Sequence, residues 1–260
     1  MFQDYPILEF DGSPEAILEP KRLIQPLVEM PEHGVITFFQ DVINHFVEQG
    51  LAREITAITS EMGRHPIYVH EFRGQPIALF HPGVGAPLAA GLLEEVIALG
   101  CRKFIVCGGA GVLNRELALG HLVVPNAAVR DEGTSYHYLP PGREVPPTAA
   151  ALAAVLNTLQ QRNVEHVVAK TWTTDAIYRE TRPRMALRRA EGCATVEMEA
   201  AALFAVAQFR GVELAQILYS GDNLDADEWD SRGWVRNWGV REILVELAAE
   251  ACLAIDDITP

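Results

Sequence analysis

Apolar positions in this chain repeat with two different periods, and the switch between them predicts the elements. In "GVGAPLAAGLLEEVIALG", Leu88, Leu92, Val96 and Leu99 share one face of a helix that Gly100 closes. Similar spacing predicts a helix in "GVITFFQDVINHFVEQG" ending on Gly50, and one in "PPTAAALAAVLNTLQQR" starting after its prolines. It also predicts a helix in "TRPRMALRRAEG" ending on Gly192 and a last one in "VRNWGVREILVELAAEACLAI". Short apolar runs between them predict strands: "KFIVCGGAG", "GHLVVPNAAV", "EHVVAKTW" and "VELAQILYSGD". Residues 66–72 alternate, Arg73 and Gly74 supply a turn, and "PIALFH" follows, which predicts a hairpin. "ATVEMEAAALFAVAQFRG" predicts a short strand entering a helix. The first 50 residues are otherwise hard to read, with a short strand expected in "PILEF". Disorder is expected only in the last few residues and across 140–148. Strands alternating with helices argue for an α/β chain with a largely parallel or mixed sheet.

The bulk numbers narrow the function classes. A length of 260 residues with 49% hydrophobic content supports a full core in one large domain, or two small ones at most. The formal net charge is −14, and no cluster of Lys and Arg is large enough to follow a nucleic-acid backbone. The most basic stretch, "RPRMALRR", spaces its arginines as a solvated helix face does. Cys101, Cys107, Cys193 and Cys252 form no C-x-x-C pair and have no histidine at metal spacing, so buried thiols in a reducing compartment are expected. The N-terminus lacks the features of a signal peptide, and no apolar run approaches the ~18 residues of a membrane span. A cytoplasmic location is the expectation.

Three strand ends carry unusual residues, and strand carboxyl ends are where open α/β sheets bind ligands. These are Gly83-Val84-Gly85, Gly108-Gly109-Ala110-Gly111 and Ser220-Gly221-Asp222. Glycines before a helix let the backbone approach an anion, although a plain tight turn is as good an account of the first loop. Asp222 either caps a turn or presents a proton in a dry cleft, where burial raises a carboxyl pKa. Asp225, Asp227, Glu228 and Asp230 read as solvated loop residues. "VRDEGTSYHYLP" reads as a surface loop around a satisfied His137, with a substrate-side or interface loop as the alternative. In "VEMEAAALFAV", Glu197 and Glu199 stand at the mouth of a helix, where they either complement its dipole or accept hydrogen bonds from a diol.

Taken in order, "GVGAP", "CGGAG", "GHLVVPNAAVRDEGTSYHYLP", "TTDAIY", "VEMEAAALFAV" and "SGDNL" resemble the trimeric-to-hexameric nucleoside phosphorylase family. That family includes purine nucleoside phosphorylases, uridine phosphorylases and adenosylhomocysteine-type nucleosidases. The resemblance covers roughly residues 66–255, and the N-terminal quarter is divergent. It implies a single domain over 1–260 with a phosphorylase/hydrolase-like three-layer fold, in which helices flank a central mixed, mostly parallel sheet. It implies cleavage of the N-glycosidic bond of a ribonucleoside, with phosphate as the usual nucleophile and no metal or organic cofactor. Glu199 would accept hydrogen bonds from the 2′- and 3′-hydroxyls, Met198 would pack on the sugar, and Glu197 would assist. Asp222 would protonate N7 of a purine leaving group. Gly109, Ala110, Gly111, Ile177 and Arg182 would complete the nucleoside site. Gly83, Gly85 and Gly108 would cradle phosphate, with Arg64 donated by a neighbouring subunit. The expected partners are a nucleoside and inorganic phosphate, not nucleic acid or membrane, and a homo-oligomer, dimer or hexamer, is implied.

The chain also departs from the family pattern. Val106 and Gly109 stand where the family has the arginine and threonine of Arg-x-Gly-Thr, and "FDGSPEAI" takes the place of an arginine-bearing N-terminal loop. Weak phosphate binding is therefore expected, and Val106→Arg with Gly109→Thr is expected to tighten it. Two alternatives follow: a nucleosidase whose water is held by Glu9 or Glu15, or a non-catalytic nucleoside-binding protein. The Gln-x-Arg pair that reads uracil is absent, with Glu180 or Arg182 in its region, and Ile177 replaces the usual aromatic under the base. A purine is favoured over uracil.

Overall fold

Short apolar runs bounded by glycines and polar turns pair side by side, because each buries little surface alone and two faces together. The computed structural model describes residues 3–234 and 238–257. Among them, ten strands form one sheet. They are β1 (His33–Thr37), β2 (Ala52–Ser60), β3 (Gly63–Phe72), β4 (Gln75–Phe80), β5 (Lys103–Val112), β6 (Leu122–Asp131), β7 (Glu144–Val145), β8 (His166–Thr174), β9 (Cys193–Glu197) and β10 (Glu213–Asn223). The helices are α1 (Pro20–Leu23), α2 (Gln40–Glu48), α3 (Ala86–Leu99), α4 (Ala149–Gln161), α5 (Arg182–Ala190), α6 (Ala200–Arg210) and α7 (Trp238–Leu253).

Parallel ladders join β4, β1, β5 and β10, and again β6, β8 and β9. Antiparallel ladders form the β2–β3–β4 edge and close β9 onto β5 and β6 onto β10. Alternation along the central strands sends side chains to two cores. Val35, Ile105, Cys107, Ile217 and Tyr219 meet apolar residues of α4 and α7 on one face. Ile36, Phe104, Val106 and Leu214 meet α3 and α6 on the other. The result is the expected arrangement of a mixed central sheet between helical layers. Because β1, β4, β5 and β10 are mutually parallel, their carboxyl ends gather in one place, and that place holds the glycine-rich turns.

Four expectations are corrected. "GVITFFQDVINHFVEQG" is not one helix: it is β1 up to Thr37 and α2 from Gln40. Val35 and Ile36 are buried on opposite faces, with β4 and β5 on either side, so tertiary pairing overrides the helical spacing. "PILEF" is no strand; Pro6–Leu8 forms a 3-10 turn. Residues 140–148 are ordered, because β7 pairs with β6 and the Arg130 guanidinium donates to the carbonyls of Leu139 and Pro140. The basic face of α5 is not wholly solvated: Arg188 is buried, donates to Asp131 and Glu191, and stacks over Trp172. The hairpin β3–β4 and the remaining predicted elements are present, and β2, which the hydrophobic pattern does not predict, extends that hairpin. The predicted start of the last helix at Val235–Asn237 lies outside the described residues. All four cysteines are buried, and none forms a disulfide among the described residues. Among the described residues no helix is long and apolar enough to cross a membrane, and no group of three or more His, Cys, Asp or Glu side chains could hold a metal ion.

Candidate functional site

Near its carboxyl end β5 carries Gly108, Gly109 and Gly111, because other groups need the space. A Cβ on Gly108 would stand 2.9 Å from the Phe38 ring, and one on Gly111 would stand 2.4 Å from Leu224 Cδ1. At Gly109 it would touch the Tyr219 and Trp234 rings at 3.1 Å. This glycine floor forms one wall of a cavity of about 760 Å³, within the range of small-molecule sites.

Two carboxyls line the cavity at the junction of β9 and α6, and two residues of backbone separate their tasks. Glu197 accepts hydrogen bonds from the N–H groups of Glu199 (2.7 Å) and Ala200 (2.6 Å) and from Thr173 Oγ1 (2.6 Å). It therefore satisfies donors that the start of α6 leaves unpaired. Glu199 occupies the cap position of α6 with non-helical φ −137° and ψ −29°. Its Oε1 accepts the N–H of Gly85 at 2.6 Å, and its Oε2 that of Met198 at 3.3 Å. Gly85 has φ 94° and Gly83 φ 77°, a region L side chains rarely adopt, and a Cβ on Gly83 would collide with Leu88 at 2.2 Å. Burial pushes both carboxyls above their ordinary range. Glu199 is raised further by the nearby charge of Glu197, while the donors on Glu197 oppose its own shift.

A second acidic pair lines the cavity, with Asp222 standing beside Gly111 of the glycine floor. Asp222, at the tip of β10, accepts the indole N–H of Trp229 at 2.7 Å. Glu180 precedes α5, and its carboxyl is pushed up to about 7 by burial and by the charge of Asp222. Arg182 spends its guanidinium on the carbonyl oxygens of Ala226 and Asp227. Ile177 and Tyr178 line the same cavity, and both rise into solvent.

The fold thus brings Glu197, Met198, Glu199, Gly108, Gly109, Ala110, Gly111, Ile177, Arg182 and Asp222 to one cavity. Val84 lines it too, between Gly83 and Gly85. Arg64 does not reach the cavity of its own chain; it is exposed at the start of β3 and pairs with Glu54 at 2.5 Å. Glu9 and Glu15 do not reach it either. Glu9 accepts the N–H of Gln3, and Glu15 pairs with Arg22 and Lys21. "FDGSPEAI" runs elsewhere: Asp11, Ser13 and Glu15 line a second cavity against Ala90 and Glu94 of α3. Phe38 and Phe39, which follow β1, line the main cavity. Asp225, expected to be solvated, is tied to Arg115 and Arg189.

Val106 is fully buried in the core beneath α3 and α6. An arginine there would carry its charge into that core, and a threonine at Gly109 would press on two rings, so the paired replacement cannot build a phosphate site. Sequence reasoning missed Phe38, Phe39, Gln216, Trp229, Trp234 and Arg241, all of which line the cavity. One of them left a signal: Arg241 shares a helical face with Leu244, Val245 and Ala248, an isolated cation on an apolar stripe.

Residues 32–253 match the family model described as "Phosphorylase superfamily". The chain is 27% identical to the guanosine phosphorylase of Halorubrum lacusprofundi, over 69% of this chain and 83% of that enzyme. It is 30% identical to the uridine phosphorylase of Treponema pallidum, over 55% of this chain and 60% of that one. In fold it is similar to the AMP nucleosidase of Bacteroides thetaiotaomicron, with TM-score 0.72 and 22% identity, covering 89% of this chain and 91% of that one.

Proposed function

The chain belongs to the phosphorylase superfamily, and from that membership we propose that it cleaves the N-glycosidic bond of a ribonucleoside with inorganic phosphate as nucleophile. One observation carries the reading. Glu199 is a buried carboxyl on the cavity wall whose hydrogen-bond donors in the described chain are two backbone N–H groups and no cation. The donors of a vicinal diol favour the ionised form that burial opposes, and that carboxylate faces the positive charge that grows on the sugar ring as the bond breaks.

Met198 supports the sugar, and the base extends toward Ile177, Glu180 and Arg182. The C–N electron pair leaves with the base, which takes a proton from Asp222 held by the Trp229 indole. A phosphate oxygen bonds to C1′ over the glycine floor, giving free base and ribose 1-phosphate. Asp222 at the base end favours a purine, protonated at N7. The absence of a charged side chain at Val106, Gly108 and Gly109 supports a second reading, in which water attacks in place of phosphate. A third, nucleoside binding without turnover, would keep the diol clamp alone.

The reading takes residues 1–260 as one unit acting in the cytoplasm as a homo-oligomer, dimer or hexamer, to which a neighbouring subunit brings Arg64. Buried cysteines outside any disulfide support a reducing compartment. Exposed Ile17, Leu18, Leu23 and Val28 support a covered N-terminal face. The test of function is a panel of purine and pyrimidine nucleosides incubated with and without phosphate, the products being resolved as sugar phosphate or free sugar. Free ribose formed at the same rate without phosphate overturns the phosphorylase reading, and tight binding without product overturns both enzymatic ones.

A further inference from the structure

A phosphate nucleophile needs a cation at the glycine-floor end of the cavity, and β5 supplies none. Among the described residues two cations line the cavity, Arg182 and Arg241. Arg182 is engaged with the Ala226 and Asp227 carbonyls at the base end. Arg241 projects from the first turn of α7 and is 8% exposed. Its guanidinium stands against the Tyr219 hydroxyl and its Nη1 donates to Asp41 Oδ2 at 2.8 Å, whereas its buried Nε has no hydrogen-bond partner. The guanidinium lies 5.1 Å from the centre of the Phe39 ring and 5.6 Å from that of Trp234. Trp234 is the ring that a Gly109 side chain would touch, so the charge stands beside the glycine floor. An interior donor left without a partner is costly unless a ligand completes it. Hydrogen phosphate does so, because its oxygens accept from the arginine.

We propose that Arg241 is the anion-binding residue of the nucleophile subsite, holding inorganic phosphate against Gly108 and Gly109, with Asp41 setting the orientation of its guanidinium. This rests on the phosphorolysis reading. The arginine comes from the last helix and not from the sheet.

The test uses Arg241→Gln and Arg241→Lys in the full chain, with two readouts. In turnover, Arg241→Gln should raise the phosphate KM by about tenfold or more, the worth of a lost charge-assisted bond, and leave nucleoside affinity within about twofold. Arg241→Lys keeps the charge without the fork, and its phosphate KM should fall between the two. Independently of turnover, inorganic phosphate should raise the wild-type Tm and quench its tryptophan fluorescence, and Arg241→Gln should lose both responses. If Arg241→Gln does not fold, Arg241→Lys carries the comparison. A variant that melts earlier but keeps the wild-type phosphate KM and fluorescence response makes Arg241 a purely structural partner of Asp41 and overturns the proposal. A wild-type protein that yields free ribose yet shows an Arg241-dependent phosphate response overturns the phosphorolysis reading and leaves the anion subsite standing. Absence of any phosphate response in the wild type overturns the subsite itself.

Discussion

Glu197 and Glu199 have the same chemistry and line the same cavity, yet Glu197 also caps α6 while Glu199 accepts from the facing glycine loop. Glu199→Gln keeps the shape and hydrogen-bonding reach but removes the charge that would stabilise a cationic sugar. It should weaken nucleoside binding and sharply slow cleavage, and the wild-type advantage should vanish on a 2′,3′-dideoxy substrate. Equal kcat/KM for wild type and variant on a good ribonucleoside would remove the diol-clamp role. Asp222 calls for a different contrast. Its replacement by alanine leaves the exposed Trp229 indole free to meet water, so folding should survive. Cleavage of purine nucleosides should fall by about 10²–10⁴-fold, the usual worth of a positioned proton donor. Nitrophenyl ribosides, whose leaving group needs no proton, should lose far less, and equal losses on both substrates would show that Asp222 is no general acid.

At the scale of elements, the site depends on how α6 begins. Glu197 ties the first N–H groups of α6 to Thr173 at the end of β8, and it leaves Glu199 free to turn into the cavity. Glu197→Ala should therefore destabilise the fold by about 1–3 kcal/mol, through a lost cap and stranded buried donors. A urea midpoint unchanged from wild type would contradict this. The same variant should slow cleavage without any loss of direct substrate contact, because Glu199 rides on the cap. The legibility of elements followed their surroundings. α3 reads correctly because its period survives in a helix packed on one side, whereas β1 does not: "GVITFF" carries the spacing of a helix, and only β4 and β5 on either side make it a strand. β2 was invisible because its burial alternates weakly at a sheet edge.

For the whole molecule, two buried carboxyls and a half-buried one store a pH dependence. Glu180, Glu197 and Glu199 all have folded pKa values above the ordinary 4.5. Between the unfolded and folded values the folded chain therefore holds more protons than the unfolded chain, and their contribution to stability falls as pH rises from about 4.5 through the folded values. Below that window the three groups are neutral in both states and cost nothing. Urea midpoints of the wild type and Glu199→Gln at pH 5 and pH 8 give the check: the variant should lose less on going to pH 8, and parallel losses would exclude Glu199 as a source. Assembly is tested at the same scale. Static light scattering should give a mass that is a multiple of 28.6 kDa at micromolar concentration, and a monomer would overturn the oligomeric reading and the place of Arg64 in it.

The sequence by itself determined the class of fold, the family and the positions of the acids and glycines that meet at the cavity. These are local properties, written in hydrophobic period, in glycine at strand ends and in the "VEMEAAAL" and "SGDNL" turns. Only the tertiary structure decided what surrounds them. Phe38 and Phe39 line the cavity because β1 is threaded between β4 and β5, and Val106 is core because its face of the sheet lies under α3 and α6. Arg241 stands beside Gly109 because α7 packs back across the sheet, 132 residues along the chain from the strand it serves. The physical reason is range. A residue's conformation and its immediate turn are set by its neighbours in sequence, whereas burial, charge pairing and the lining of a cavity are set by neighbours in space.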